Sequence, residues 1–425
     1  MVIDVAAYEL VLRDARLMHT AGPADIGVRD GRIVAIEPVG ALSGVEVIDV
    51  EGRLVTGAFV DGHVHLDKSY LWEMSNFAGK VAGEFFDELR AYKSAGSAEH
   101  VADRMRRAVQ SAALCGTGTL RAQIDVDDVI GLAHLRAALA LRDECAPYLR
   151  LQVVVFPQEG VVGNPAAGEI VEEALRVGAD VMGGAHGFDR AATNAEHYAA
   201  CFALAERFDV DVDVHLDFDS TPEQPLSEWD IWQIARLTAE HAWQGRVTVA
   251  HLTQHGQLDP EARRALVDLM LANDISLTVV PGAELYGARC WAHPPIDDVR
   301  QVTADYTDLI RAGVRLSYAG GHLADAFHPF GAGDLLTDGL LLASARNLGD
   351  PTIGGTHVLD LGTSIAAQSA RLPGPHGTVI GALADLIVFD APDADTALRH
   401  QSDRWLVLHH GRPVATTRTT KELLV

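Results

Sequence analysis

Two histidines one residue apart, His63 and His65, are the first side chains in this 425-residue sequence whose types and spacing could do chemistry. In an extended strand side chains repeat with a period of two, so both imidazoles leave the backbone on one face and can grip a single cation. An HxH pair alone is as readily two packed histidines as two ligands. Here Asp61-Gly62 precede the pair, Asp67 follows it, and His215 and His251 end two later strand-like runs. Neutral imidazole is the commonest metal ligand and titrates near neutrality, so the 19 histidines of the chain are ample supply for such a site.

The elements that must position these groups follow from the surrounding pattern. Between about residues 58 and 350, eight strand-like runs alternate with helical patterns at Ala98–Leu114, Ile130–Arg142, Pro165–Val177, Asn194–Phe208, Glu228–His241, Pro260–Ala272 and Asp298–Ala312. Eight strand-then-helix units predict an α/β fold, a TIM-type (β/α)8 barrel over residues 58–352, with its active site at the carboxyl ends of the strands. Five of those eight ends carry histidine: His63 with His65, then His186, His215, His251 and His322. The two chain ends read as short strands with turns at Asp30-Gly31 and His410-Gly411-Arg412-Pro413, and predict a small β-sandwich composed of residues 1–57 plus 353–425.

Composition removes several function classes. A formal charge of −25 argues against a protein that tracks nucleic-acid phosphates and against docking on an anionic membrane, leaving a small molecule as the expected partner. With 48% hydrophobic and 22% charged residues the chain is expected to be folded throughout. Cys115, Cys145, Cys201 and Cys290 form no CxxC pair, which predicts neither a thiolate zinc site nor a disulfide framework. Residues 1–14 lack the basic head and apolar stretch of a signal peptide, and a cytoplasmic location is expected. A homo-oligomer is compatible with this build.

Six segments, read in order, carry a resemblance. They are Gly57 to Lys68 (GAFVDGHVHLDK), Phe156 to Gly160 (FPQEG), Asp213-Val214-His215, Ala250 to Thr253 (AHLT), Asp325 to Gly331 and Gly381 to Asp390. Their order and spacing resemble the amidohydrolase superfamily, and within it the cytosine deaminase branch, over essentially the whole chain. The resemblance implies a mononuclear metal hydrolase of C–N bonds in cyclic amides or amidines. It implies His63, His65 and His215 as ligands of one divalent ion, zinc or iron, His251 as a nearby polar or water-contacting group, and Gln158 as a substrate-binding amide. Three neutral imidazoles and a water make a workable catalytic zinc site.

Two positions depart from that branch. Phe218 stands where the family has a proton-shuttling Glu, and Gly321, by ungapped alignment back from Gly331, where it has a metal-binding Asp. No Lys stands near His186 to bridge a second metal. Losing one acid-base residue costs ~10²–10⁴ in rate, so other groups have taken over or the chemistry has changed. The candidate replacements are His322, beside the vacated position; Asp217 and Asp219, which share strand parity with His215; Asp325; and His186 on the neighbouring strand. His322 and Asp219 are favoured, although each is as readily an ordinary loop residue.

An apolar ring at Phe218, with Phe327, Trp72, Tyr286 and Trp291, suits a substrate with an apolar or aromatic portion. Lys68 and Arg121 either orient an anionic or carbonyl group or neutralise Asp67 and Asp125. Three readings remain: a C–N hydrolase with a non-standard acid/base, a lyase or cyclase on the same metal site, and a non-catalytic ligand-binding protein.

Overall fold

The computed structural model describes residues 8–74, 82–186, 189, 191–216, 220, 224–287, 306–345 and 354–424. The first segment supplies five strands: β1 (Tyr8–Leu17), β2 (Pro23–Arg29), β3 (Arg32–Pro38), β4 (Gly44–Asp49) and β5 (Leu54–Gly57). Eight more follow in the middle: β6 (Phe59–Val64), β7 (Thr117–Asp125), β8 (Arg150–Phe156), β9 (Val181–Ala185), β10 (Asp211–Leu216), β11 (Val247–His251), β12 (Ser276–Val279) and β13 (Leu316–Tyr318). These eight pair in sequence order, each parallel to the next. A parallel bridge between Val64 and Gly321 joins the last strand to the first, so the predicted barrel closes. Strands β7, β9, β11 and β12 are buried along their whole length, as expected where helices cover one face and side chains fill the other.

The helices at Ala98–Leu114, Asn194–Phe208 and Pro260–Ala272 have their predicted bounds, and local capping explains the starts. Asp259 accepts from the N–H groups of Glu261 and Ala262 with Pro260 next in line, and Thr193 and Glu196 form a reciprocal capping box. The predicted Ile130–Arg142 helix begins later, at Ala133, because Asp127 accepts from the N–H groups of Val129 and Ile130 and holds that stretch as a turn. Of the predicted Asp298–Ala312 helix, residues 298–305 lie outside the described residues, and Thr307–Ala312 is helical.

The chain ends meet in a second sheet, completed by β14 (Leu386–Phe389), β15 (Arg404–His409) and β16 (Arg412–Ala415). Its order is β16-β15-β14-β5-β1-β2-β3, with β4 also on β1. Its core draws Leu10, Leu12, Ile26 and Val28 from one end and Leu386, Val388, Leu406 and Leu408 from the other. Asp30-Gly31 and His410-Gly411 have consecutive left-handed residues, the backbone a two-residue turn requires; the second turn is shorter than expected, since Arg412 and Pro413 already belong to β16. The boundary expected at 352/353 moves towards the C-terminus. The helices Gly354–Leu361 and Ser364–Ser369 pack on β13, and the second also on β6 and β12, so they close the barrel rather than join the end sheet. No helix among the described residues is long and apolar enough to cross a membrane.

Candidate metal centre and active site

The end of β6 and the parallel pairing of β9, β10 and β11 bring His63, His65 and His215 together, although β6 stops at Val64 and its ladder with β7 shifts register between Asp61 and Val64. The Nε2 atoms of His63 and His65 lie 3.1 and 3.0 Å from Nε2 of His215. Bare lone pairs at that range repel, whereas one ion ~2.0–2.1 Å from each nitrogen sets neighbouring nitrogens roughly 2.9–3.4 Å apart. The spacing therefore fits a shared divalent cation. Burial pushes His63 down to about 4; burial, with Lys68 beside His65 and His63 beside His215, holds the other two well below the ordinary value. All three rings stay neutral and able to ligate.

Buried partners aim these rings. Asp213 Oδ1 lies 3.7 Å from Nδ1 of His63, and Asp213 itself is held by Arg121 at 3.0 Å and the Gln123 amide at 3.1 Å. The Gln123 amide nitrogen lies nearer, 3.3 Å from the same Nδ1, so both partners engage that edge of the ring and leave Nε2 turned towards His215. The Tyr198 hydroxyl, 3.1 Å from the His215 carbonyl, fixes the end of β10. The ring of Phe156 stands 4.5 Å from that of His215 and 5.1 Å from that of His65.

His251 is a fourth imidazole at the same place. Its ring lies 5.3 and 5.2 Å from those of His63 and His215, and one ligating atom from each of the three falls within 4.8 Å of the others. His251 and Leu252 both have positive φ, 75° and 52°, a conformation uncommon for residues with side chains and concentrated at functional sites. Behind His251, at 3.7 Å from its Nδ1, is Glu284 in the short helix Pro281–Gly287. Glu284 is buried and accepts from the N–H of Val280 at 2.8 Å. Sequence reasoning missed this carboxylate; the available signal was an acidic residue in the first turn after a barrel strand.

Gly321 leaves no room for a side chain. Its φ is +67°, and a Cβ there would meet Val280 Cγ1 at 2.2 Å. Its N–H donates to the His63 carbonyl at 3.0 Å and its carbonyl accepts from the His65 N–H at 2.7 Å, which locks it into the barrel closure. The next residue reaches the site instead. His322 stacks on His65 at 4.8 Å and 13°, and its Nδ1 is 2.7 Å from Asp325 Oδ2. The other oxygen of Asp325 accepts from the N–H groups of Phe327 and His328 at 2.9 and 3.1 Å. Asp325 thus holds the proton on Nδ1 and leaves Nε2 of His322 as an acceptor. Phe327 lies 5.0 Å from His322 and faces the same cluster.

The remaining candidates divide. Gln158 is buried, and its Oε1 has no partner among the described residues, the condition of an amide kept for a ligand. Lys68 is buried and sits 2.6 Å from Asp125 Oδ1; Lys93 holds the other oxygen of Asp125 at 2.6 Å. Of the two roles open to Lys68 and Arg121, the ion pairs with Asp125 and Asp213 support neutralisation, since ammonium and guanidinium already have buried carboxylate partners. His186 is half-buried, and its Nε2 reaches the Ala192 carbonyl at 3.3 Å, so it belongs to the loop after β9 and not to the histidine cluster. Asp217, Phe218, Asp219 and Trp291 lie outside the described residues. Asp385, His409 and His410 also bring three ligating atoms within 4.8 Å. The two rings stack at 4.2 Å and 17°, however, so their in-plane lone pairs run side by side instead of converging.

A closed (β/α)8 barrel with a histidine-built cation site at its carboxyl end is the class that fold and site define. The amidohydrolase family matches residues 46–415. The chain belongs to the amidohydrolase family, enzymes that act on carbon–nitrogen bonds. It is 27% identical to N-isopropylammelide isopropyl amidohydrolase of Pseudomonas sp. strain ADP over 95% of this chain and 96% of that one. It is 26% identical to pterin deaminase of Rhizobium rhizogenes strain K84, over 92% of this chain and 87% of the relative. The fold matches the crystal structure of 5-methylcytosine deaminase from Klebsiella pneumoniae with a TM-score of 0.87 at 24% identity, covering 97% of this chain and 99% of that one.

Proposed function

We propose that this protein hydrolyses a C–N bond of an amino- or alkylamino-substituted nitrogen heterocycle, with one divalent ion, zinc or iron, held by His63, His65 and His215. The convergence of three neutral Nε2 atoms within 3.0–3.1 Å contacts carries the reading. When bound, the ion would supply Lewis acidity and draw the pKa of a water towards ~7.

The chain's own residues do the rest. His322, oriented by Asp325, takes a proton at Nε2 and returns it to the leaving nitrogen, the work that Phe218 and Gly321 cannot do. Gln158 offers its amide to the ring of the substrate, and His251, backed by Glu284, gives a second polar contact. Phe156 and Phe327 form apolar walls for a flat ring. The substrates named for the two relatives, N-isopropylammelide and pterin, are nitrogen heterocycles and support this substrate class.

The test is turnover of N-isopropylammelide, pterin and 5-methylcytosine by zinc- and iron-loaded protein in ¹⁸O-water. Release of ammonia or amine with one solvent oxygen in the product is expected. Product without solvent oxygen would replace hydrolysis by the lyase reading. No turnover, with no metal retained after loading, would leave only ligand binding.

A further inference from the structure

We infer that Asp189 is a positioning residue for the substrate amide: its buried carboxylate straps down the loop after β8 that carries Gln158. The inference rests on the proposed role of Gln158. Asp189 Oδ2 accepts from the backbone N–H groups of Val161 and Val162, both at 2.9 Å, and Oδ1 accepts from the N–H of Gly163 at 2.8 Å. The same Oδ2 lies 2.9 Å from Nδ1 of His197, which projects from the helix Asn194–Phe208. One carboxylate therefore ties three consecutive amides of the β8 loop to the helix behind β9.

The approach is close enough to require glycine. A Cβ at Gly160, whose φ is +95°, would meet Asp189 Cγ and Oδ1 at 2.7 Å, and one at Gly163 would meet Oδ1 at 2.6 Å. Asp189 is 1% exposed and His197 0%. Burial opposes the charge on Asp189, but His197 and the three N–H groups hold its carboxyl below the usual carboxylate range. The loop's ionic tethers at Glu159, to Arg90 at 3.1 Å and to Lys93 at 4.0 Å, both end on a side chain 32% exposed and are correspondingly weak. The buried strap is the one that sets where Gln158 stands, two residues before Gly160. Asp189 does not touch the substrate; it acts through the loop.

The test is steady-state kinetics of the zinc-loaded full chain with pterin and N-isopropylammelide, on Gln158→Ala, Asp189→Asn and the double variant. Gln158→Ala and Asp189→Asn are each expected to raise KM about tenfold with kcat within about threefold of wild type, and Asp189→Asn is expected to shift KM less than twofold in the Gln158→Ala background. A merely structural strap would lower the melting temperature and add its kinetic effect to that of Gln158→Ala. Should Asp189→Asn fail to fold, Gly163→Ala presses on the same carboxylate and is expected to raise KM about threefold. If Gln158→Ala raises KM but the strap variant does not, or if the two effects add, the strap proposal falls alone. If Gln158→Ala leaves KM unchanged, or wild type turns over neither probe, the reading beneath it falls first and takes the strap with it.

Discussion

The ends of β6 and β10 and the segment after β13 face the same cation position but are built on different principles. The end of β6 delivers His63 and, one residue beyond it, His65; β10 delivers His215, and their Nε2 atoms stand 3.1 and 3.0 Å from that of His215. After β13 the chain turns through Gly321 at φ +67° with no space for a side chain, and a turn anchored on Asp325 delivers His322. The first region gathers its imidazoles at strand ends; the second is a loop that sets His322 against Asp325 beside them. Under the proposed function, ligands and base would then rest on separate backbone geometries, and each could be altered without the other.

Breaking the strand-built half should have the largest effect. His63→Ala is expected to lose bound metal and activity by more than the ~10–100-fold typical of residues that only support a ligand, read by elemental analysis and turnover. Breaking the loop-built half should spare the metal. His322→Asn is expected to lower kcat by ~10²–10⁴ with metal content unchanged, and Asp325→Asn to lower it less, because the imidazole remains but its tautomer is no longer held. Equal metal loss in His63→Ala and His322→Asn would erase the distinction.

Restoring the family's carboxylate sharpens the comparison further. Gly321→Asp is expected to destabilise the fold by ~2–4 kcal/mol, through a left-handed backbone and contact with Val280, and to recover no activity; thermal melting and kinetics decide. The smallest effect concerns protons. In metal-free protein, stability should fall as pH drops from near 6.5 to about 4, because an unfolded histidine protonates near 6.5 while buried His63 resists until about 4. Above that window both states are neutral and His63 contributes no slope. Urea midpoints of wild type and His63→Gln measure it, and the variant should show a shallower fall.

Much of this was legible in the residues. The barrel was readable because strand runs alternate with helices whose caps are local, as at Asn164-Pro165 and Asp259-Pro260. The His63/His65 pair was readable because a period of two needs no tertiary information. Lys68 was ambiguous because an ammonium next to a ligand motif looks the same whether it faces substrate or Asp125; only the fold put Asp125 at 2.6 Å. Glu284 was missed because its partner, His251, is remote in sequence and meets it only when β11 and β12 are adjacent.

By itself the sequence determined the fold class and the histidines that gather at the strand ends, since each is a matter of residue identity and local period. The tertiary structure decided which groups surround them, His322 with Asp325 on one side and Glu284 behind His251 on the other. Distances between β13, the helix after β12 and the loops after β8 and β9 are set by how the barrel closes around Gly321, and closure is a property of all eight strands at once.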